Sequence, residues 1–206
     1  MTAFNGAVRT AEEKSRAWRL HTLTWAAENA LRLEGDFVEC GVFEGFMSQV
    51  VVDYLDFAKL PRTFFLYDTF AGFSPRYSSP ADFVADWNFY DFAQKAYAKP
   101  GLAAEVTARF ARYPNVRIIE GVVPDSLVGT APDRIAYLHV DLNSPKAERA
   151  ALDALYDRVV PGGYIVFDDY GWEQYGPQME AADGFATSRG AAVLELPTGQ
   201  GLLIRS

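Results

Sequence analysis

The stretch LHVDLNSPKAERAALDALYDRVVPGGYIVFDDY (residues 138–170) decides how this chain is read. Its first residues close the apolar run RIAYLHVD (134–141), a buried β-strand that ends in Asp141. Residues 145–160 then carry helical spacing, opened by Pro145 at or near a first turn, where a missing N–H costs nothing. After Pro161-Gly162-Gly163 comes a second run of strand formers, which ends in two adjacent carboxylates, Asp168 and Asp169. Strand, helix, strand in this order is a crossover unit, and its two strands run parallel. Like charges held side by side repel and raise each other's pKa. A fold tolerates them when a turn needs acceptors, or when a cation sits there.

The alternation extends both ways. Residues 10–33 have helical spacing with Ala17, Leu20, Leu23, Ala27 and Leu31 on one side, and Gly35 breaks them. DFVEC (36–40) is a strand entering a glycine turn, 46–58 a helix, RTFFLYD (62–68) a strand, LAAEVTARFARY (102–113) a helix and NVRIIEG (115–121) a strand. Beyond the opening stretch, 176–190 reads as a helix closed by Gly190, and 191–206 as two strands joined by PTGQ. The expectation is an α/β fold, doubly wound, with five mostly parallel strands and a C-terminal antiparallel hairpin making seven. Residues 1–206 form one domain in this reading, with 1–34 an N-terminal helical segment. Residues 71–100 break the pattern with Pro75, Pro80 and Pro100 and with Phe73, Tyr77, Phe83, Trp87, Phe89, Tyr90, Phe92 and Tyr97. A long irregular segment in a compact domain is usually functional or mobile, here either a lid or an oligomer contact, the latter making a homodimer plausible.

Composition narrows the classes. Half of the 206 residues are hydrophobic, enough for a substantial core. A net charge of −8 argues against nucleic acid and against an anionic membrane surface as partners. It suits a small-molecule substrate. A single cysteine, Cys40, forms no internal disulfide and fits a reducing cytoplasm. No apolar run approaches the ~20 residues that span a bilayer, and MTAFNGAVRTAEEK lacks the apolar centre of a signal peptide.

Ligands of such sheets bind beyond the carboxyl ends of the strands. That rule points to Glu39, Asp68, Asp141 and Asp168–Asp169, a carboxylate each time. Glu39 precedes Gly41-x-x-x-Gly45, which is neither G-x-G-x-x-G nor a P-loop, so a plain strand-to-helix turn fits it as well as a cofactor loop does. Asp68 follows Gly45 at a separation that lets an acid accept both ribose hydroxyls of a nucleoside, or else it caps a turn. Asp125 and Ser126 either cap a turn or edge an adenine. If the strands ending at Asp141 and Asp168 are neighbours, about 4.8 Å apart, three carboxylates converge, with Asn143 adding a neutral oxygen. Hard divalent cations favour that donor set. His21 and His139 form no pair; His139 shares a side with Asp141, though its commoner role is a satisfied core histidine. Cys40 suits a small apolar role, and no serine sits in a hydrolase elbow.

Through GDFVECGVFEGF (35–46), LYDTFAGF (66–73), EGVVPDSL (120–127) and residues 138–170, the chain resembles class I S-adenosylmethionine-dependent methyltransferases. Within them it is similar to the macrocin/mycinamicin sugar O-methyltransferases, which include a novobiocin-pathway member. The resemblance runs from about Gly35 to Asp169. It implies a Rossmann-like fold and Mg²⁺ bound by Asp141, Asp168 and Asp169. It implies that Glu39, Gly41, Phe43, Gly45 and Ser48 line the methionine end of S-adenosylmethionine, that Asp68 and Thr69 hold the ribose, and that Asp125 and Ser126 lie near the adenine. The implied reaction is methyl transfer to a hydroxyl of a small acceptor such as a sugar, with Asp141 as base. The family's Asp-Gly-Asp is here Asp141-Leu142-Asn143, and the chain is shorter. Two alternatives stand beside this reading: a metal-independent methyltransferase, and a non-catalytic cofactor-binding or scaffold protein.

Overall fold

The computed structural model describes residues 11–83 and 89–206. Its strands are β1 (Asp36–Cys40), β2 (Phe64–Asp68), β3 (Val116–Glu120), β4 (Ile135–Val140), β5 (Val159–Phe167), β6 (Leu194–Glu195) and β7 (Gly201–Ile204). The α-helices are α1 (Ala11–Ala30), α2 (Phe46–Tyr54), α3 (Phe89–Tyr97), α4 (Leu102–Arg109), α5 (Pro145–Leu155) and α6 (Gly176–Ser188). One sheet runs in the order β3-β2-β1-β4-β5-β7-β6. Strands β1 to β5 pair in parallel, and β7 pairs antiparallel with both β5 and β6. The order reverses between β1 and β4, the switch point at which such sheets bind ligands.

Strand alternation sorts the core into two layers. Phe37, Phe64, Leu66, Tyr137 and Val166 pack with Leu23, Ala26, Ala27 and Ala30 of α1. Val38, Cys40, Leu138, Val140, Ile165 and Phe167 pack on the opposite face with Ala151, Leu152 and Leu155 of α5 and Ala182, Phe185 and Ala186 of α6. Glu39 and His139 therefore lie on the α1 face, interleaved with Phe37 and Tyr137.

Several boundaries differ from the sequence reading, and the helix read over 102–113 ends at Arg109. The helix read over 46–58 ends at Tyr54, and a short turn, Phe57–Lys59, follows Asp56 at φ 50°. The helix read over 145–160 ends at Leu155, because Val159 and Val160 belong to β5. Pro161-Gly162-Gly163 is a bulge within that strand: the register passes from Ile135↔Val159 to Tyr137↔Tyr164. The bulge is closed by Gly162 N–H donating to the Arg205 carbonyl (2.7 Å) and Arg205 N–H to the Gly163 carbonyl (3.0 Å). Within 71–100, read as patternless, Phe89–Tyr97 forms α3. Its Gln94 Oε1 accepts from Phe73 N–H (2.7 Å) and its Nε2 donates to the Ala71 carbonyl (3.2 Å), which fixes the chain leaving β2. Trp87 lies outside the described residues.

Candidate active site

The hydrogen-bond ladder continues one residue past the strand ends. Gly41 N–H donates to the Tyr67 carbonyl (2.8 Å), Asp141 N–H to Cys40 (2.8 Å) and Asp168 N–H to Val140 (3.1 Å). Gly41, Asp141 and Asp168 thus stand in a row at the switch point. Gly41 holds φ +91°, and a Cβ there would sit 1.7 Å from the Asp141 carbonyl oxygen. Only glycine fits that approach.

A basic group meets the acids. Arg19, one turn before Leu23 on the stripe of α1 that packs on the sheet, sends its guanidinium to the end of β5. Nη2 contacts Asp168 Oδ2 and lies 3.3 Å from Asp169 Oδ1, and Nε lies 3.4 Å from Asp168 Oδ1. Gln200 Nε2 also donates to Asp168 Oδ1, at 2.8 Å. Burial, and then the charge of Asp169, push the Asp141 carboxyl up to about 7. Burial raises Asp169 too, with Arg19 opposing. Negative charge at this edge is therefore under-compensated.

Asn143, at φ 53°, explains how the departure from Asp-Gly-Asp is accommodated. Its Nδ2 donates to Asp141 Oδ1 (2.8 Å) and its Oδ1 accepts from Tyr175 O–H (2.9 Å). A carboxylate in that place would repel Asp141; the amide orients it. Burial, and then Asp141 and Asp169, raise the Tyr97 phenol. Burial and Asp169 raise that of Tyr175, so both remain O–H donors beside the acids.

His139 is buried, as the sequence reading expected, but it is not satisfied. Nδ1 stands 3.4 Å from Glu39 Oε1 and Nε2 3.6 Å from Asp168 Oδ1, and neither nitrogen has a hydrogen-bond partner. Ser48 O–H donates to Glu39 Oε2. A buried line Ser48–Glu39–His139–Asp168 therefore links the glycine turn to the acidic edge. His139, Asp141 and Asp168 each offer a ligand atom, all within 4.8 Å of one another. Cys40 keeps the apolar role expected of it, its thiol raised by burial.

Asp68 does what the turn-cap alternative required. Oδ2 accepts from Val42 N–H (2.6 Å) and Phe43 N–H (2.8 Å), and Oδ1 from Phe70 N–H (2.6 Å). One carboxylate thus ties the glycine turn to the loop after β2. An amide offers one oxygen in place of two. Asp68→Asn is expected to cost about 1–3 kcal/mol, through backbone donors left unpaired, and to weaken cofactor binding in parallel. Thermal unfolding and ligand titration of the variant check both.

A cavity of about 300 Å³ opens over this end of the sheet. Gly41, Phe43, Asp68 and Thr69 line it together with Asp141, Asp168, Asp169 and Arg19. Phe73, Ser74, Tyr77, Ser78 and Tyr97 add to its wall. Phe73 stacks on Tyr90 (5.4 Å), and Tyr97 meets Phe43 (5.0 Å). Glu39, Gly45, Ser48, Asp125 and Ser126 are not among the lining residues; Gly121, Val122 and Val123 are. Asp125 instead pairs with Arg76 (2.7 Å), while Ser126 Oγ is buried without a partner. Sequence reasoning missed Arg19, whose one signal is a cation on the buried stripe of α1. It also missed Gln200 as a member of the site, and nothing local marks it; Tyr97 was named only as part of the candidate lid.

The strand order and the reversed terminal hairpin define a Rossmann-like methyltransferase fold. The O-methyltransferase NovP superposes with a TM-score of 0.75 at 22% identity, covering 91% of this chain and 79% of that one. The calicheamicin methyltransferase CalS11 does so with a TM-score of 0.75 at 21% identity, covering 96% and 80%. The chain belongs to the macrocin O-methyltransferase family: residues 13–193 match the family described as Macrocin-O-methyltransferase (TylF). It is 30% identical over 161 residues to mycinamicin III 3''-O-methyltransferase of Micromonospora griseorubida, covering 74% of this chain and 62% of that one. It is 30% identical over 166 residues to 8-demethyl-8-(2,3-dimethoxy-alpha-L-rhamnosyl)-tetracenomycin-C 4'-O-methyltransferase of Streptomyces olivaceus, covering 74% and 60%. The chain thus spans about three-fifths of the length of these curated relatives. Among the described residues no helix is long and apolar enough to cross a membrane.

Proposed function

We propose that this chain is an S-adenosylmethionine-dependent O-methyltransferase that methylates a hydroxyl of a small acceptor, a sugar by the chemistry of its relatives' names, with Mg²⁺ at the acidic edge. The observation that carries the reading is the shared cavity: the glycine turn and three carboxylates line one space. A methyl donor and a polarised hydroxyl must meet in one such space. The cofactor supplies an electrophilic methyl group on a sulfonium. Gly41, Phe43, Asp68 and Thr69 border its place, Asp68 with acceptor capacity left on Oδ1 for a ribose hydroxyl. Glu39, Gly45 and Ser48 lie behind that wall, and Gly121, Val122 and Val123, which precede Asp125 and Ser126, border the place for the adenine.

Mg²⁺ is in keeping with the residues present: Asp141, Asp168 and Asp169 line the cavity with oxygen donors, ligand atoms of Asp141 and Asp168 lie within 4.8 Å of each other and of His139, and the negative charge is under-compensated. When bound, Mg²⁺ supplies Lewis acidity that lowers the pKa of the acceptor hydroxyl. Asp141 takes the acceptor's proton. Asn143 Nδ2 holds Oδ1, which leaves Oδ2 of Asp141 for the task. Phe73 and Tyr97, both at the cavity wall, support the lid reading of the 71–100 segment, which would keep water from the site.

The test is an acceptor panel of hydroxylated sugars and phenols with detection of S-adenosylhomocysteine. Turnover with Mg²⁺ that stops on chelation supports the reading; cofactor binding with no turnover on any acceptor leaves the non-catalytic alternative. The Arg19 contact favours a second reading, in which the guanidinium takes the metal's place. Turnover that survives chelation selects it.

A pH dependence follows from Asp141. Its native pKa, about 7, lies above the ordinary carboxylate value, so the native state holds this proton more tightly than the unfolded chain does. This group's contribution to metal-free stability therefore falls as pH rises from about 4 to about 7. Mg²⁺ competes with the same proton, so affinity rises about tenfold between pH 6 and pH 8 and flattens in Asp141→Asn. Titrations at the two pH values check this.

A further inference from the structure

We propose that Arg19 is a resident counter-cation that competes with the divalent metal for Asp168 and Asp169, so that helix α1 sets the metal affinity of the acidic edge. The inference rests on the Mg²⁺ reading above and concerns this chain's own residues.

The guanidinium takes both acids at once: Nη2 contacts Asp168 Oδ2 and lies 3.3 Å from Asp169 Oδ1. The pair is enclosed, with side-chain exposures of 18% for Arg19, 1% for Asp168 and 11% for Asp169, so solvent screens it little. Gln200 already takes Asp168 Oδ1. Mg²⁺ binds oxygens at about 2.0–2.1 Å and demands near-octahedral geometry. A guanidinium held on these oxygens repels a like-charged dication at that distance and competes with it for their lone pairs. Arg19 must swing off for the metal to enter.

The backbone of α1 does not yield easily. Arg19 shares its stripe with Leu23, Ala26, Ala27 and Ala30, all fully buried against the sheet. The side chain is therefore the moving part, and it already borders the cavity into which it can turn. With the metal absent, the guanidinium offsets the repulsion of the paired acids; with the metal present, it is released. Arg19 is in this sense a positioning residue that acts through the two carboxylates.

The test uses the full chain, stripped with chelator and dialysed, as wild type, Arg19→Gln and Arg19→Lys. MgCl₂ binding is read by calorimetry and by the rise in Tm. Removing a competing charge-assisted contact is expected to tighten Mg²⁺ binding in Arg19→Gln by about tenfold or more, with Arg19→Lys in between. The Tm rise with Mg²⁺ is larger in Arg19→Gln than in wild type. An ordinary structural ion pair predicts the opposite, unchanged or weaker metal binding, and that result overturns the proposal while leaving the metal site standing. No Mg²⁺ response in any of the three proteins overturns the metal reading and the competition with it. Should Arg19→Gln fail to fold, Arg19→Lys decides: tighter binding than wild type supports the competition, equal or weaker binding overturns it.

Discussion

Asp168→Asn is expected to lower methyl transfer by about a thousandfold or more while S-adenosylhomocysteine still binds, the scale on which a Lewis acid worth several kcal/mol is lost. The substitution keeps the shape of the side chain. Its remaining oxygen still accepts from Gln200 Nε2, and Arg19 retains Asp169. The negative charge is what disappears. Asp168 is 1% exposed and sits at the end of a central strand, so alanine there would leave Gln200 without its acceptor and Arg19 with Asp169 alone, and confuse folding with chemistry. Asparagine separates the two. Asp169→Asn removes the other end of the same clasp and should act in the same direction. Full turnover in both variants would show that the paired acids only cap a turn.

Gly41→Ala should do its damage through the backbone. The added Cβ meets the Asp141 carbonyl oxygen at 1.7 Å and the carbonyl carbon at 2.5 Å, and φ is +91°. Neither atom belongs to a side chain that can step aside, so β1 and β4 must part at the rung where Asp141 N–H donates to Cys40. Positive φ strain and the lost close approach together are worth about 3–5 kcal/mol, or a fall of roughly 10 °C in Tm for a domain of this size. Cofactor binding and the placement of Asp141 fail together. Gly45→Ala is the control: φ is +75°, but its nearest neighbour is the Phe110 ring at 2.8 Å, a side chain that can yield. A Gly41→Ala protein as stable as wild type would contradict the close approach of these strand ends.

Local patterns revealed those parts of the molecule whose causes are local. DFVEC is β1 residue for residue, because a strand buried on both faces is a continuous apolar run and Gly35 and Gly41 bound it. The acids at or near the four strand ends were legible for the same reason: they stand where such runs finish. The start of β5 was not, since Val159 and Val160 continue the helical spacing of α5 and only pairing with β4 assigns them to the sheet. α3 was hidden by aromatic residues of weak helix propensity, and its Ala93 is buried in a cluster with Phe83 that forms only in three dimensions. Arg19 reaches Asp168 across 149 positions of sequence. The unsatisfied His139 depends on the register that sets it opposite Glu39. Both are products of topology, and composition cannot show them.

The measurement that tests the central claim most directly is a calorimetric titration of the purified chain with S-adenosylhomocysteine, with and without Mg²⁺ and then with EDTA. The account predicts one site of about micromolar affinity in both conditions, since on the proposed reading the glycine turn and Asp68 hold the cofactor independently of the metal. A separate Mg²⁺ response should vanish on chelation. Absence of any binding in either condition would contradict the account, since a cavity built between Gly41 and Asp168 that rejects the nucleoside product is not a methyl-transfer site.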